Sequence, residues 1–370
     1  MTDSRPARLA VPCLLAAALA LSACASSRGG GATKTAAAPL PPAKPEARLQ
    51  FEEGLRQMQA GPRSYEAALT AFREAVRLDP KLFEAWHDLG IVNGRLVRWQ
   101  AAAEALGKAL TLQPRSRRTL VAFADALCRT GRHADAAELL GKRLTPESDD
   151  LELRLLYIQA LRDGGKAQRA LDEVEVLLTR DSRSARGFSA LGLIYYRLEK
   201  HALADSALRR ASELDPKSAE VWNNLGLVAL ARGKDREAFA AFDKATDLDP
   251  ASLAPVLNKA AVLLDCGDYK RAREELERAA RQHPDDAELQ VALGVAYRGL
   301  KEHERARSAY QRALELRPDY PAALYNLGIL YMDFLSDKNR AREHLTLFQK
   351  VTPAGDSRSK EASARLRELK

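Results

Sequence analysis

The apolar positions of the chain repeat with the spacing of amphipathic helices arranged in pairs. One such pair has apolar residues three or four positions apart in each of its halves, at Trp222, Leu225, Ala229, Phe239, Phe242 and Ala245. This spacing places the apolar side chains on one face of each helix. The pattern therefore predicts helical hairpins, each made of two amphipathic helices that bury a shared apolar face.

These hairpins recur with a period of 34 residues. Alanine occupies one position of the period eight times in succession, at Ala68, Ala102, Ala136, Ala170, Ala204, Ala238, Ala272 and Ala306. Proline recurs in the same frame at Pro80, Pro114, Pro216, Pro250, Pro284 and Pro318. A column of small residues, broken only at Ile158, contains Gly90, Ala124, Gly192, Gly226, Ala260, Gly294 and Gly328. Because independent columns share one period, the chain is predicted to be a repeat protein.

The small-residue column predicts a close contact between the two helices of each hairpin. Glycine inside a helix costs about 1 kcal/mol relative to alanine, so its recurrence indicates that a neighbouring helix leaves no room for a larger side chain. The prolines follow Leu-Asp in several units, as at Pro216 and Pro250, where they favour a turn into the next hairpin.

The segment from Trp222 to Gly226, followed by Ala238, Phe242, Ala245 and Pro250, resembles the signature of the tetratricopeptide repeat. The resemblance covers about residues 47–355. It implies an all-α fold, a right-handed superhelical solenoid of about nine helical hairpins. Residues 356–370 depart from the repeat, and we expect them to form a short charged helix that caps the last hairpin.

Units three and four depart most from the repeat. Arg143 replaces a late alanine, Arg154 takes the place of a large apolar residue, and Gly164 and Gly165 interrupt the turn. We therefore expect the stack of hairpins to be irregular or hinged in these two units.

The first 46 residues read as a targeting segment followed by a linker. Residues 1–23 have the positive and apolar regions of a secretory signal peptide. Leu21, Ser22, Ala23 and Cys24 resemble the lipobox of bacterial lipoproteins, which implies that Cys24 is lipidated; an ordinary signal peptide with a fortuitous cysteine is the alternative. Residues 24–46 are small, polar and rich in proline, which predicts a flexible tether.

The lipoprotein resemblance also implies a location. An aspartate directly after the lipidated cysteine tends to signal retention in the inner membrane, and this chain has Ala25 there. We therefore expect a bacterial envelope protein that is attached by its N-terminal lipid, with the outer membrane, facing the periplasm, as its place.

Composition and charge agree with a helical protein that binds neither nucleic acid nor a cofactor. The chain has 46% hydrophobic but only 6% aromatic residues, and abundant alanine favours packed helices over a sandwich or barrel. The net charge is +8, but the basic residues are mixed with 50 acidic ones along the chain, so no nucleic-acid-binding stripe emerges.

The sequence offers no catalytic or metal-binding constellation. The six histidines are scattered through the repeat frame, and His303 lacks the second histidine that a zinc-binding helix needs. Cys128 and Cys266 lie four repeats apart, which argues against a disulfide between them, and both are predicted to be buried or half-buried thiols. We expect a protein that is not an enzyme and has no cofactor, metal or small-molecule substrate.

A binding groove is instead implied by the tetratricopeptide resemblance. In this family the first helix of each hairpin lines the groove, and its groove positions carried over to this chain give Leu193, Tyr196, Asn223, Leu227, Leu230, Leu257, Leu264, Val291, Val295, Tyr325, Ile329 and Met332. The set is mostly apolar, which favours an apolar helix or extended segment of a partner over an acidic C-terminus held by Arg197 and Arg298. The alternative is that these side chains only pack between neighbouring units.

The expected function is therefore that of a scaffold or adaptor for other envelope proteins. The chain resembles the tetratricopeptide lipoproteins that help to place secretins for type IV pili or that belong to gliding-motility complexes. A periplasmic regulator of a cell-wall enzyme or protease, without chemistry of its own, is the alternative.

Overall fold

The computed structural model describes residues 43–145, 148–352 and 356–369, and every regular element in these ranges is a helix. The first helices of successive hairpins are α1 (Pro45–Gln59), α3 (Phe83–Arg95), α5 (Arg117–Arg129), α7 (Leu151–Asp163), α9 (Ala185–Arg197), α11 (Ala219–Ala231), α13 (Leu253–Asp265), α15 (Ala287–Gly299) and α17 (Pro321–Asp333). The second helices are α2 (Tyr65–Leu78), α4 (Trp99–Leu112), α6 (His133–Gly141), α8 (Ala167–Arg180), α10 (His201–Leu214), α12 (Asp235–Leu248), α14 (Tyr269–Gln282), α16 (His303–Leu316) and α18 (Lys338–Val351). The last helix is α19 (Ser357–Glu368).

The predicted all-helical repeat fold of nine hairpins and a C-terminal helix is confirmed for the described residues. The described part of the chain divides into two compact units. The N-unit runs from residue 43 to Leu214 and contains the first five hairpins. The C-unit runs from Asp215 to residue 369 and contains the last four hairpins and α19. The predicted signal peptide, Cys24 and the tether up to residue 42 lie outside the described residues.

The two helices of a hairpin meet where a small residue of the first helix faces a large residue of the second. A Cβ atom on Gly226 would lie 2.4 Å from Cε1 of the Phe242 ring, and one on Gly294 would lie 2.3 Å from Cε1 of Tyr310. Both rings are fully buried. At Gly90, Gly192 and Gly328 a leucine of the second helix takes the same place. The small-residue column is thus explained by a large apolar side chain that occupies the space of the missing one.

The exceptions in the column follow the same rule of complementary volume. Where the first helix carries Ala260, the corresponding residue of the second helix is Leu276. Where the column is interrupted by Ile158, that residue is Val174, and both side chains are at most 1% exposed. At these two contacts a larger residue in the first helix faces a smaller residue than the rings that face Gly226 and Gly294.

Each of the last eight hairpins turns between its helices through a residue in the left-handed backbone region. These residues are Val97, Gly131, Gly165, Glu199, Gly233, Gly267, Lys301 and Ser336. Glycine adopts this conformation without a steric penalty, whereas a β-branched residue is strained there. Val97, with φ of 60°, is the one β-branched residue in the set, and its side chain is exposed.

The predicted irregularity of units three and four is located by the structure in α6. This helix has nine residues, whereas α8 has 14, and it ends at Gly141, before Arg143. Arg154 at the start of α7 is only 3% exposed. Its guanidinium forms an ion pair with Glu173 and donates a hydrogen bond of 2.8 Å to the Thr145 carbonyl oxygen. The hydrogen bond of Arg154 therefore holds the chain between α6 and α7, and its ion pair joins α7 to α8.

Candidate protein-binding face

The first helices of neighbouring hairpins contact one another within each unit. Successive contacts join α3 to α5, α5 to α7 and α7 to α9 in the N-unit, and α11 to α13, α13 to α15 and α15 to α17 in the C-unit. The first helices therefore form a continuous layer in each unit. We call the side of this layer that carries the predicted groove residues the first-helix face.

Half of the predicted groove residues are buried. They are Leu193, Leu227, Leu264, Val291, Tyr325 and Ile329. Leu227 is 6% exposed and Ile329 is 8% exposed, too little for either to serve as an open contact surface. The reason is the contact between neighbouring first helices, since Val291, Tyr325 and Ile329 belong to one buried cluster built from α15 to α19. These six residues stabilise the stack of helices.

The other half of the predicted residues are half-buried. They are Tyr196, Asn223, Leu230, Leu257, Val295 and Met332. Four of these are apolar, lie in the C-unit and come one from each of its first helices. We call Leu230, Leu257, Val295 and Met332 the C-unit stripe. Their inner atoms pack against the buried clusters, and their remaining surface is accessible.

Asparagine side chains link the first helices beside the C-unit stripe. Asn258 Nδ2 donates a hydrogen bond of 2.9 Å to Asn223 Oδ1, and Asn326 Oδ1 accepts one of 3.2 Å from Arg298. The side-chain nitrogen of Asn224 is buried without an acceptor among the described residues. The sequence reasoning passed over Asn258 and Asn326, although Asn224, Asn258 and Asn326 share one position of the repeat.

The C-terminal helix closes one end of this face. Burial, together with the hydrogen bond to Glu361 of α19, raises the pKa of Tyr325 above its usual range. Arg365 of α19 pairs with Asp333 of α17 at 3.5 Å. Ala362 of α19 is fully buried. Tyr325, predicted as a groove residue, therefore serves as a contact for α19.

The first-helix face of the N-unit carries a polar cluster at the junction of α3 and α5. The Arg118 guanidinium lies 5.5 Å from the centroid of the Phe83 ring, and His87 Nδ1 is 3.0 Å from the Thr119 hydroxyl. Burial lowers the pKa of His87 to about 4 and raises the pKa of Asp88 to about 6, with Arg118 opposing the second shift. Charged and aromatic groups thus meet at this junction, whereas other positions of the same face, such as Val121, carry half-buried apolar side chains.

The two arginines considered for an acidic C-terminus are engaged differently. Arg197, in the N-unit, donates a long hydrogen bond of 3.4 Å to the Asp163 carbonyl oxygen and is otherwise exposed. Arg298, in the C-unit, is held by Asn326. Each therefore belongs to its own unit's network of contacts between neighbouring first helices.

His303 and Cys128 pack against other side chains of the protein. His303 stacks on Phe334 with ring centroids 4.7 Å apart, and burial raises the pKa of the Cys128 thiol to about 12. Cys266 is exposed, contrary to the prediction. Over residues 43–145, 148–352 and 356–369, no group of three or more histidine, cysteine or acidic side chains is arranged to hold a metal ion. The same residues include no helix with the length and apolar character needed to span a membrane.

Three models of tetratricopeptide repeats match the chain. A model described as the tetratricopeptide domain of cytochrome c-type biogenesis protein H matches residues 207–324. Two models described as tetratricopeptide repeats match residues 51–117 and 88–150, and residues 185–218. These matches and the hairpin geometry identify the chain as a tetratricopeptide-repeat protein. The matched models describe repeats of a protein-binding type and no catalytic domain.

Curated relatives share this repeat over a limited part of their length. A human PEX5-related protein is 35% identical over 85 residues, which are 23% of this chain and 13% of the relative. The peroxisomal targeting signal receptor of Komagataella phaffii is 27% identical over 174 residues, which are 45% of this chain and 30% of the relative. The chain thus spans less than a third of the length of these relatives.

Solved structures of repeat proteins are also similar to the chain. A tetratricopeptide repeat protein from Parabacteroides merdae has a TM-score of 0.45 at 15% identity, over 78% of this chain and 98% of that one. YrrB, described as a tetratricopeptide protein with an unusual peptide-binding site, has a TM-score of 0.38 at 21% identity, over 51% of this chain and 97% of that one.

Proposed function

We propose that the protein is a non-catalytic scaffold of the bacterial cell envelope that binds a protein partner through the C-unit stripe. The lipobox resemblance supports attachment through Cys24, with the segment between Cys24 and α1 as the tether. By the same resemblance, its place is the outer membrane, facing the periplasm. Its role is to assemble or stabilise a multiprotein complex, of the kind that builds pili, places secretins or drives gliding motility.

The observation that carries this proposal is the half-buried apolar stripe. Four consecutive first helices each present one accessible apolar side chain, and these helices contact one another in succession. A few apolar anchors carry most of the binding energy of a typical protein interface, at about 1 to 3 kcal/mol each. The stripe therefore fits an apolar helix or extended segment of a partner.

The experiment is co-purification from envelope extracts with stripe variants. Leu257→Asn and Val295→Asn, singly and together, are expected to lose the captured partner while circular dichroism shows unchanged helicity. Leu314→Asn is the matched control, because Leu314 is half-buried but belongs to a second helix. Unchanged capture by the double variant, or equal loss by the control, would exclude the stripe as the binding surface.

The same experiment refines the earlier set of groove residues. Leu227→Asn and Ile329→Asn place a polar group in a buried site, which costs free energy of unfolding as well as any binding. We expect these variants to lower the melting temperature, and we expect Leu257→Asn and Val295→Asn to leave it nearly unchanged. The two pairs of variants therefore distinguish residues that stabilise the fold from residues that bind the partner.

The envelope location has its own test. Mass spectrometry of the mature protein is expected to find a lipid-modified Cys24 as the first residue, and Cys24→Ser is expected to remove the protein from the membrane fraction. A mature chain that begins at another residue, without lipid, would reject the anchor and leave the scaffold function standing.

The identity of the captured protein decides between pathways. Pilus, secretin or motility components favour the assembly scaffold. A cell-wall hydrolase, synthase or protease favours the alternative role as a periplasmic regulator, and a cytochrome c biogenesis component favours a function like that named for the matched domain.

A further inference from the structure

The N-unit contains an apolar groove that is separate from its first-helix face. The groove lies between α8 and α9 and has a volume of about 430 Å³. Leu171 and Leu178 of α8 and Leu191 and Tyr195 of α9 line it, and each of these side chains is half-buried. We call it the α8–α9 groove.

A carboxylate without a partner lies at the rim of this groove. Glu175 of α8 is exposed, and within the described part of the chain its carboxylate has neither a hydrogen-bond donor nor an ion-pair partner. Its neighbour Asp172 accepts a hydrogen bond of 3.0 Å from Gln168 Nε2. The rim is therefore acidic above an apolar floor.

The repeat itself shows what fits such a site. Two repeats after the groove, in the C-unit, Lys259 stands at the position of Leu191, and Asp243 stands at the position of Glu175. Lys259 Nζ lies 2.6 Å from Asp243 Oδ1 and 2.9 Å from Glu275 Oε1, and the lysine side chain is only 12% exposed. An ammonium group on an apolar stem thus fills the equivalent place from within the chain.

The next repeat of the C-unit satisfies the same carboxylate position by another donor. Glu277 corresponds to Glu175, and Tyr297 corresponds to Tyr195. The Tyr297 hydroxyl donates a hydrogen bond of 2.9 Å to Glu277 Oε1. Between Glu175 and Tyr195 there is no such bond among the described contacts. Of these three carboxylates, Glu175 alone lacks a donor from its own unit.

We propose that the α8–α9 groove docks a partner protein segment in which one lysine or arginine is flanked by apolar residues. The cationic head pairs with Glu175, in the way that Lys259 pairs with Asp243. The flanking apolar side chains lie on Leu171 and Leu178. This surface is on the N-unit and is independent of the C-unit stripe.

The test uses a defined probe with the purified full-length protein. A fluorescein-labelled amphipathic peptide made of leucine and lysine is titrated in fluorescence anisotropy, beside the same peptide with glutamate in place of lysine. We expect saturable binding of the lysine peptide only. Glu175→Gln is expected to weaken it about fivefold, as for loss of one partly exposed ion pair. Glu104→Gln, an exposed carboxylate on α4 of the same unit, is the matched control and is expected to bind as wild type.

A second variant fills the groove from within. Leu191→Lys reproduces the arrangement of Lys259 and is expected to abolish peptide binding, with helicity unchanged by circular dichroism. Equal binding of the lysine and glutamate peptides, or wild-type affinity in Glu175→Gln, would overturn the proposal. Loss of the peptide in Leu257→Asn instead of Glu175→Gln would assign it to the C-unit stripe and would also overturn it.

Discussion

The N-unit and the C-unit share the same 34-residue repeat, but only the N-unit buries arginine side chains among the described residues. In the C-unit the second helices α12, α14, α16 and α18 all have 14 residues, and the hairpin contacts are filled by apolar side chains, two of them rings and two of them leucines. In the N-unit α6 is shortened to nine residues, and Arg154 and Arg162 are buried at 3% and 7% exposure. The difference shows that the hairpin stack accepts an ion pair in an apolar position when a helix is shortened beside it.

The first-helix faces differ in the same sense. The C-unit has asparagines that join neighbouring first helices, and the N-unit has at its α3–α5 junction an arginine on the Phe83 ring and a histidine beside the Thr119 hydroxyl. We infer that the C-unit is the principal binding unit, because each of its four first helices presents one residue of the C-unit stripe.

Removal of the buried arginine is expected to have the largest effect. Arg154→Ala leaves Glu173 and the Thr145 carbonyl oxygen without their donor, which costs about 3 kcal/mol of unfolding free energy. Gln290→Ala changes the same repeat position in the C-unit, where the side chain is half-buried, and is expected to cost less than about 1 kcal/mol. Urea denaturation compares the two, and hydrogen exchange should locate the loss in α6 to α8. Equal costs would contradict the contrast between the units.

The complementary hairpin contact of the C-unit is expected to give the next effect. Gly226→Ala places a methyl group against the Phe242 ring and should cost about 2 kcal/mol. Adding Phe242→Leu recreates the alanine–leucine pair of the following hairpin, so the double variant should be more stable than Gly226→Ala alone. Thermal unfolding measures both, with the exposed Lys234→Ala as the neutral control. A double variant less stable than the single one would reject the volume rule.

The unfolding free energy of the protein is expected to depend on pH through His87 and Asp88, with opposite signs. His87 has a folded pKa of about 4, below its ordinary value of 6.5, so its contribution to stability is lost as the pH falls through this range. Asp88 has a folded pKa of about 6, above its ordinary value of 3.8, so its contribution is gained as the pH falls. Between pH 7 and pH 5 the two changes are about 2 and about 1 kcal/mol and largely cancel.

Asp88→Asn should uncover the histidine contribution. We expect this variant to lose about 1 kcal/mol more than wild type between pH 7 and pH 5, whereas His87→Gln should become more stable on acidification over the same interval. Denaturant titrations at the two pH values provide the measurement. Parallel pH profiles for the two variants would contradict the assignment.

The smallest expected effect concerns the strained turn of the N-unit. Val97→Gly relieves a β-branched residue in the left-handed region and is expected to raise the unfolding free energy by about 0.5 kcal/mol. Gly131→Val, the reverse change at the next equivalent turn, should lower it. Melting temperatures that do not move in opposite directions would reject the strain.

The period of the repeat predicted the helices well because each column has a local physical cause. The glycine column required a close helix, and Phe242 and Tyr310 supply it. The irregularity at units three and four followed from Arg143 and Arg154. The partners of Arg154 could not be derived, since its hydrogen bond to the Thr145 carbonyl oxygen depends on the course of a loop and its ion pair with Glu173 joins two helices.

The candidate face was harder to predict because residues at the same position of the repeat differ in the exposed fraction of their side chains. Leu227 and Val295 occupy the same repeat position, yet the packing of neighbouring first helices buries the first and leaves the second half-accessible. The asparagine network was missed for a related reason, since hydrogen bonds such as Asn258 to Asn223 join residues of different repeats. Exposure and pairing both depend on the distance between hairpins, which the repeat frame does not specify.

Site-specific photo-crosslinking in intact cells tests the central claim most directly. A photoreactive phenylalanine analogue is placed singly at Leu257 and Met332 of the C-unit stripe, and at Leu347, an exposed apolar residue of α18, as the control. The account predicts one shared protein adduct from both stripe positions and none from the control. Adducts from Leu347 alone, or no protein adduct from either stripe position, would contradict binding through the first-helix face of the C-unit.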